Sequence, residues 1–537
     1  MTAFQLKQKL NRWHFSSGWQ PMGFVFAALL LGLLLARLPW LWGAALVGGT
    51  AVFLITIIYP LVGVGLALLL GPLGALEKVY FGGSPLDSGQ TLLLFAVGAW
   101  LARSMSRRQI MIRHSWLSVP LAVFIFVGAM TLLDATAVTL GLIELVKWIE
   151  ILVVMLMVLD WASEWFDNCQ QGFFTSPQVV VLAMLLLAGV SQALVGIWQF
   201  GLRGDGPEHF LVLGRFYRAY GTFEQPNPFG GYMNLSVLLG MGVLLGVVAV
   251  WWQRFLLYGK GRQANSVQLA RPAVNHLILL FVGVAVATAL TGMALVFSWS
   301  RGAWLGFAAG TAVIILFWPR RLWQGVMLLL VASLLLFGGL QAGLVPASVA
   351  DRLVSFQDNF QFGDMRGAPI NDENYAVVER LAHWQAALDM ARDDLWLGVG
   401  FGNYGAAYPD YMLINWPDAL GHAHNYYINL LAETGVIGLG AYVLLWTAVV
   451  WQTIALLGRL GGWERGLALG ALGVWAAIAV HHLVDKLYVN NIYVHLGVLF
   501  GLLQILVLVA RQFTKDLPAM NAIISAQDLR REGLDSL

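Results

Sequence analysis

The sequence predicts an all-α polytopic membrane helix bundle, and three observations carry that prediction. Of 537 residues, 59% are hydrophobic and only 11% charged, a balance that does not describe a soluble domain of this length. The chain also holds 23 tryptophans. Its apolar residues fall into uninterrupted runs of spanning length, separated by short connections. These runs cover 21–38, 39–58, 59–76, 90–102, 116–133, 138–160, 178–200, 228–252, 275–298, 301–318, 322–342, 425–457, 465–483 and 490–511. They amount to about 12–14 transmembrane helices, the first three being the least sharply bounded.

Lysine and arginine in the connections set the orientation. Arg103, Arg107, Arg108 and Arg113 share one connection, and Arg254, Lys260, Arg262 and Arg271 another, neither with an acid. Arg320 with Arg321, and Arg459 with Arg465, mark two more. If every run crosses once, all four lie on the side of the N-terminus, which carries Lys7, Lys9 and Arg12, and both termini are cytoplasmic. The first run lacks a small-residue cleavage site, so it is expected to be retained. Residues 1–20 then form a cytoplasmic N-terminus, and 21–342 hold transmembrane helices with an external loop at 201–227. Residues 343–424 form a large external loop, 425–511 the C-terminal spans and 512–537 a cytoplasmic tail.

The large loop contains no lysine, only Arg352, Arg366, Arg380 and Arg392, against acids that include Asp351, Asp358, Asp364, Asp372, Glu373 and Asp394. Within it, VVERLAHWQAALDMARDD puts Leu381, Trp384, Leu388 and Ala391 on one face, which predicts an amphipathic helix laid on lipid or on the bundle. LGVGFGN then ends that helix in glycine turns. A net charge of +2, in short basic clusters without interleaved aromatics, gives no footprint for nucleic acid. One cysteine, Cys169, excludes an internal disulfide framework and a cysteine metal site.

Arginine is depleted from short external connections, so those forced outward invite a chemical explanation. SWSRGAW places Arg301 at a tight external joint, and GRFYRAYGTFEQPNPFGGYM places Arg215 and Arg218 before the 228–252 span. Lipid phosphate, or pairing with Asp205, Glu208 or Glu224, accounts for such residues in the simplest way. Guanidinium forks converging on one pocket suit a diphosphate held without a metal. On the same side, His422, His424 and Asn425 stand at the entrance of the 425–457 span, and neutral imidazole near pH 7 accepts a proton from a hydroxyl. Glu433, nine residues beyond His424, falls out of phase and reads as structural. HHLVDKLYVNN adds His481, His482 and Asp485; His481 and Asp485 share a helical face, but two ligands do not make a metal site. Glu144, Lys147 and Glu150, spaced by three inside a span, read most simply as an internal salt-bridge ladder.

RAYGTFEQPNPFGGYM, SWSRGAWLG, RLAHWQAALDMARDDLWLGVGFGNYG and HAHNYYINLLAETGVIGLGAY together resemble the O-antigen ligase and O-antigen polymerase superfamily over roughly 180–510. The resemblance implies a membrane glycosyltransferase of the GT-C type, in the bacterial inner membrane, that uses an undecaprenyl-diphosphate-linked glycan on the external face. It implies essential arginines, which map to Arg218 and Arg301, and an essential histidine before asparagine, which maps to His424. Arg215, His422, Asn425, His482 and Asp485 are then expected around the substrates, with no metal and no cofactor. The acceptor is a glycan, lipid or protein hydroxyl, so polysaccharide polymerase and protein O-oligosaccharyltransferase are the neighbouring alternatives. Of a different class is a solute transporter, for inorganic carbon, with Glu144, Lys147 and Glu150 along its path. Transport predicts discontinuous helices near the bilayer middle.

Overall fold

The computed structural model describes residues 39–82, 86–107, 115–170, 172–259, 272–344, 346–354, 363–371 and 374–512, with isolated positions before 39 and at 113. Within these bounds every apolar run from 39 onward becomes a helix, while the run 21–38 lies largely outside the described residues. Among the described residues, eight helices are long and apolar enough to cross a membrane, and shorter apolar helices cover Trp42–Ile58, Ser118–Asp134 and Arg301–Phe317.

In chain order the helices are α1 (Trp40–Ile58), α2 (Pro60–Leu70), α3 (Gly74–Phe81), α4 (Ser88–Ser106), α5 (Ser118–Met130), α6 (Val138–Asp167) and α7 (Pro177–Gly201). After a two-stranded hairpin that pairs Leu211 with Tyr217 and Val212 with Phe216 come α8 (Pro226–Gly259), α9 (Val274–Phe297), α10 (Arg301–Phe317) and α11 (Leu322–Gln341). The large loop carries α12 (Ala347–Val354), α13 (Tyr375–Asp393) and α14 (Tyr404–Tyr411). The last three helices are α15 (Tyr426–Leu457), α16 (Gly462–His481) and α17 (Ile492–Gln512).

In lipid, helices gain little from hiding apolar surface against one another, so close association relies on small residues that let backbones touch. The centre of the bundle is built this way. A methyl group on Gly242 of α8 would lie 2.4 Å from the Gly466 carbonyl oxygen of α16, and one on Gly310 of α10 would lie 2.6 Å from the Gly473 oxygen. The three helices α8, α10 and α16 therefore meet along glycine, and any side chain at these positions would push them apart.

The connections sort into two faces. On one, Arg103 and Arg107 pair with Glu164, and Arg465 donates to the Phe317 and Trp318 carbonyls at the end of α10. On the other, Ala219 N–H donates to the Phe297 carbonyl and Tyr426 N–H to the His482 carbonyl, while Asn491 reaches the Gly71 carbonyl. Joints that the arginine count assigns to one side are thus bonded to one another.

The loop helix forms where expected, as α13, but its packed face differs. Leu381 and Ala391 are buried, whereas Trp384 and Leu388 are only half-buried; the centre of the face is Ala382, His383, Ala386 and Met390. Small alanines let α13 sit closely on α14 and the start of α15, in a second core with Tyr404, Tyr408 and Ala432. The helix therefore packs on protein rather than lipid.

α15 is broken at Gly435, whose φ of 62° and ψ of −168° are not helical. That break frees the carbonyls of Ala432 and Glu433, which accept from Val399 and Gly400 N–H, while Val436 N–H donates to the Leu395 carbonyl. The glycine turns after α13 make this possible. Gly398 and Gly400 hold φ of +67° and +105°, and a methyl group on Gly398 would lie 2.4 Å from the Ala432 oxygen.

Candidate functional site

Four elements bring arginines within electrostatic reach of one another. Arg218 follows the hairpin and is fixed by its own bonds: Nε donates to the Ser298 carbonyl at 2.9 Å and Nη2 to Asn227 Oδ1 at 3.2 Å. The same Asn227 oxygen accepts from Ser300 Oγ at 2.9 Å, and Ser300 caps α10, so Arg218 and the first residue of α10, Arg301, are held in one frame. Arg352 comes from α12 and reaches the Trp299 carbonyl, and Arg380 comes from α13. The Nε atoms of Arg301, Arg352 and Arg380 are buried and have no hydrogen-bond partner among the described residues. None of the four arginines makes an ion pair among those residues.

Burial, and then the charges of Arg352, Arg301 and Arg380, push the Arg218 guanidinium down to about 9. Burial together with Arg301 and Arg380 pushes Arg352 down to about 10. Guanidinium stays protonated near neutrality even so. The consequence is a patch of like charge, partly desolvated and without a counter-ion among the described residues, that an incoming polyanion would relieve.

Beside the arginines stand four imidazoles. His481, the last residue of α16, occupies a slot between Gly231 of α8 and Gly302 of α10, where added methyl groups would come within 3.1 and 3.2 Å of its ring. Arg380 is within electrostatic reach of it. Asp485, one turn further on, faces His422 Nε2 at 3.8 Å and His424 Nδ1 at 3.9 Å. The rings of His422 and His424 lie 4.4 Å apart, and His383 of α13 approaches His424 at 5.7 Å. His424 holds φ at 52°, a region that costs a non-glycine residue energy and so marks a constrained position. Both its ring nitrogens are buried without a hydrogen-bond partner among the described residues.

Burial drives the His422 imidazole down to about 3 against the pull of Asp485, and burial with His424 drives His383 down to about 4. Both rings are neutral at pH 7. Burial works against ionisation of Asp485, but the surrounding imidazoles of His424, His422 and His481 win and hold its carboxyl below the ordinary range.

The donor atoms of His422, His424 and Asp485 lie within 4.8 Å of one another, a set with metal-ligand composition. It does not fit a metal as it stands. His422 Nδ1 accepts the His424 backbone N–H at 3.0 Å. A neutral ring that accepts at Nδ1 carries its proton on Nε2, the atom turned to Asp485, and that atom is then no ligand.

The other residues that the sequence singled out fall elsewhere. Asn425 caps α15, accepting from Tyr427 and Ile428 N–H. His482 is wholly buried among Tyr426, Tyr442 and Tyr488, with Nδ1 3.4 Å from the Tyr442 hydroxyl. Arg215 is exposed on the hairpin, its guanidinium over the Phe216 ring. Glu433 is structural, accepting the Tyr404 N–H. The ladder in α6 forms only in part: Lys147 bonds Glu144 at 2.8 Å, Glu150 makes no ion pair among the described residues, and the second cation at Glu144 is Lys486, at 3.5 Å. Lys486 follows Asp485 and gives it a backbone hydrogen bond at 2.8 Å, so α6 is tied to the histidine cluster through two consecutive residues.

Arg352, Arg380, His383 and Lys486 are the residues that sequence reading did not assign to the site. A signal existed for the arginines. Of four in the large loop, Arg366 and Arg392 find Asp389, and the other two join Arg218 and Arg301.

Fold and site thus define a polytopic membrane protein with a cluster of arginines beside a histidine and carboxylate cluster at one end of its bundle. Residues 286–443 match the O-antigen ligase family, and that match supports a relationship of this segment to the O-antigen ligase superfamily. The matched segment contains Arg301, Arg352, Arg380, His383, His422 and His424, while Arg218, His481 and Asp485 lie outside it. No curated protein matches the chain.

Proposed function

We propose that this protein transfers a glycan from undecaprenyl diphosphate to an acceptor hydroxyl on the external face of the bacterial inner membrane, with inversion and without a metal. The observation that carries the reading is four arginines without an acidic partner among the described residues, beside an imidazole that faces Asp485 through Nδ1 and whose Nε2 has no hydrogen-bond partner among those residues. His424 Nε2 takes the proton of the acceptor hydroxyl as its oxygen forms the new bond to the anomeric carbon. The bond from that carbon to the diphosphate oxygen breaks, and its electron pair leaves with the diphosphate. Arg218 and Arg301, joined by Arg352 and Arg380, neutralise the charge on the leaving group. Asp485 holds the proton of His424 on Nδ1, which keeps the lone pair of Nε2 free for the acceptor, and stabilises the imidazolium that forms.

Lipid, glycan and protein hydroxyls all meet this base, so ligase, polymerase and protein O-oligosaccharyltransferase share the mechanism. Transport is less well supported. The span broken at Gly435 has its freed carbonyls taken up by Val399 and Gly400, not left to line a path. The test is a reaction of purified protein in proteoliposomes with a defined lipid-linked glycan donor and each acceptor class, read by the mass of the product. Solute flux in vesicles lacking any lipid-linked sugar, with no product in their presence, would reverse the choice.

A further inference from the structure

A second built site lies at the opposite end of the bundle, independent of the glycan-transfer reading. There a cavity of about 250 Å³ opens between α8, the end of α10 and the start of α16, lined among others by Gln253, Trp318, Arg320, Arg465 and the backbone of Gly461 and Gly462. Its volume is several times the ~30 Å³ share of one water.

Arg465 is the fixed wall of this cavity. Its Nε donates to the Leu457 carbonyl, Nη1 to Trp318 and Nη2 to Phe317, at 2.9–3.1 Å. Three of the five N–H groups of a guanidinium are thereby used, and two stay available on a side chain that cannot swing away. Arg320 is exposed and close enough for its charge to bear on Arg465. Neither arginine makes an ion pair among the described residues. Glu464, the acid in the first turn of α16, does not line the cavity. Gln253 adds an amide, and Gly461, with open space where a Cβ would stand, lets a ligand approach the backbone, whereas at Gly462 that place is faced by Val250 and by Glu464 Oε2, 3.5 Å away.

We propose that this cavity binds a phosphate group, held by Arg320 and the spare N–H groups of Arg465, and that its source is the headgroup of an anionic phospholipid. Paired, uncompensated guanidiniums select a phosphodiester over a zwitterionic headgroup, because the latter brings its own cation into the cleft. The location agrees. The cavity opens beside the basic connections at 320–321 and 459–465, on the face the arginine distribution predicts to be cytoplasmic, where headgroup phosphates line the interface.

Native mass spectrometry of the full-length, detergent-solubilised protein tests this, with phosphatidylglycerol, cardiolipin, phosphatidylcholine and inorganic phosphate as separate probes. Wild type is expected to retain phosphatidylglycerol or cardiolipin several-fold better than phosphatidylcholine. R320Q and Q253L, both at exposed positions, are expected to lose most of that preference, whereas Arg215→Gln, on the other face, keeps it. If inorganic phosphate at millimolar concentration binds with the same dependence on Arg320 and displaces the lipid, the site is a phosphate site and the lipid-headgroup assignment is overturned. Equal retention of all lipids by wild type, or a preference untouched in both R320Q and Q253L, would overturn the whole proposal. None of these readouts depends on glycan transfer, so failure here and failure of the transfer reading are separable.

Discussion

Asp485→Asn isolates the electrostatic part of the proposed chemistry from the fold. Asparagine keeps the shape and the Oδ1 that accepts the Lys486 N–H at 2.8 Å, so the loop between α16 and α17 stays anchored. What disappears is the negative charge 3.9 Å from His424 Nδ1. At an effective dielectric of about 20, a unit charge at that distance stabilises an imidazolium by about 4 kcal/mol, close to a thousandfold in rate. The amide dipole of asparagine returns part of this, so the expected fall in kcat is about 100- to 1,000-fold. KM for the lipid-linked donor should stay within about twofold, because the arginines that hold the diphosphate are untouched. The assay is steady-state transfer by reconstituted protein whose folding is checked by its elution profile and thermal unfolding. A variant with wild-type kcat, or one in which the loss appears only in KM, would refute the assignment of Asp485 to His424.

Arg301→Lys keeps the charge but loses the two-pronged donor, so transfer should fall severely at both saturating and limiting donor, while Arg215→Lys, stacked on Phe216 outside the arginine cluster, should remain close to wild type. Activity should survive EDTA, because fixed arginine charge takes the place of a divalent ion; a strict need for magnesium or manganese, restored by adding the ion back, would show the arginine clamp to be wrong. Gly398→Ala forces a side chain into φ +67° and onto the Ala432 oxygen, which should lower stability by about 2–3 kcal/mol in thermal unfolding, whereas Gly405→Ala, with open space at its Cβ, should not.

Hydropathy made the helices from 39 onward legible, because lipid demands long apolar segments whose backbone bonds are closed internally. The arginine count then sorted their ends into two faces. Which helices touch was not legible: the meeting of Gly242 with Gly466 depends on contacts between segments distant in sequence, and a glycine at four-residue spacing looks the same whether it faces lipid or a partner. For the same reason the periodicity of α13 gave a helix but misplaced its face, since Ala382 and Ala386 are counted as weakly apolar although their small size is what permits close packing. In the site, the unusual positions Arg218, Arg301, His424 and Asp485 stood out because their residue types are costly or rare there. Arg380 and His383 were hidden in a helix where charged and polar residues are ordinary. Lys486 escaped because its partner, Glu144, lies in a helix far upstream.

The most direct test of the account is product formation by His424→Ala beside wild type, in one reconstituted reaction with a defined undecaprenyl-diphosphate glycan and an acceptor that wild type uses. The ring nitrogens of His424 have no hydrogen-bond partner among the described residues, so its removal should leave a folded, membrane-inserted protein. The account predicts that this protein still binds the donor, through its arginines, and forms no detectable product. Transfer by His424→Ala at an undiminished rate would contradict it and place the base elsewhere.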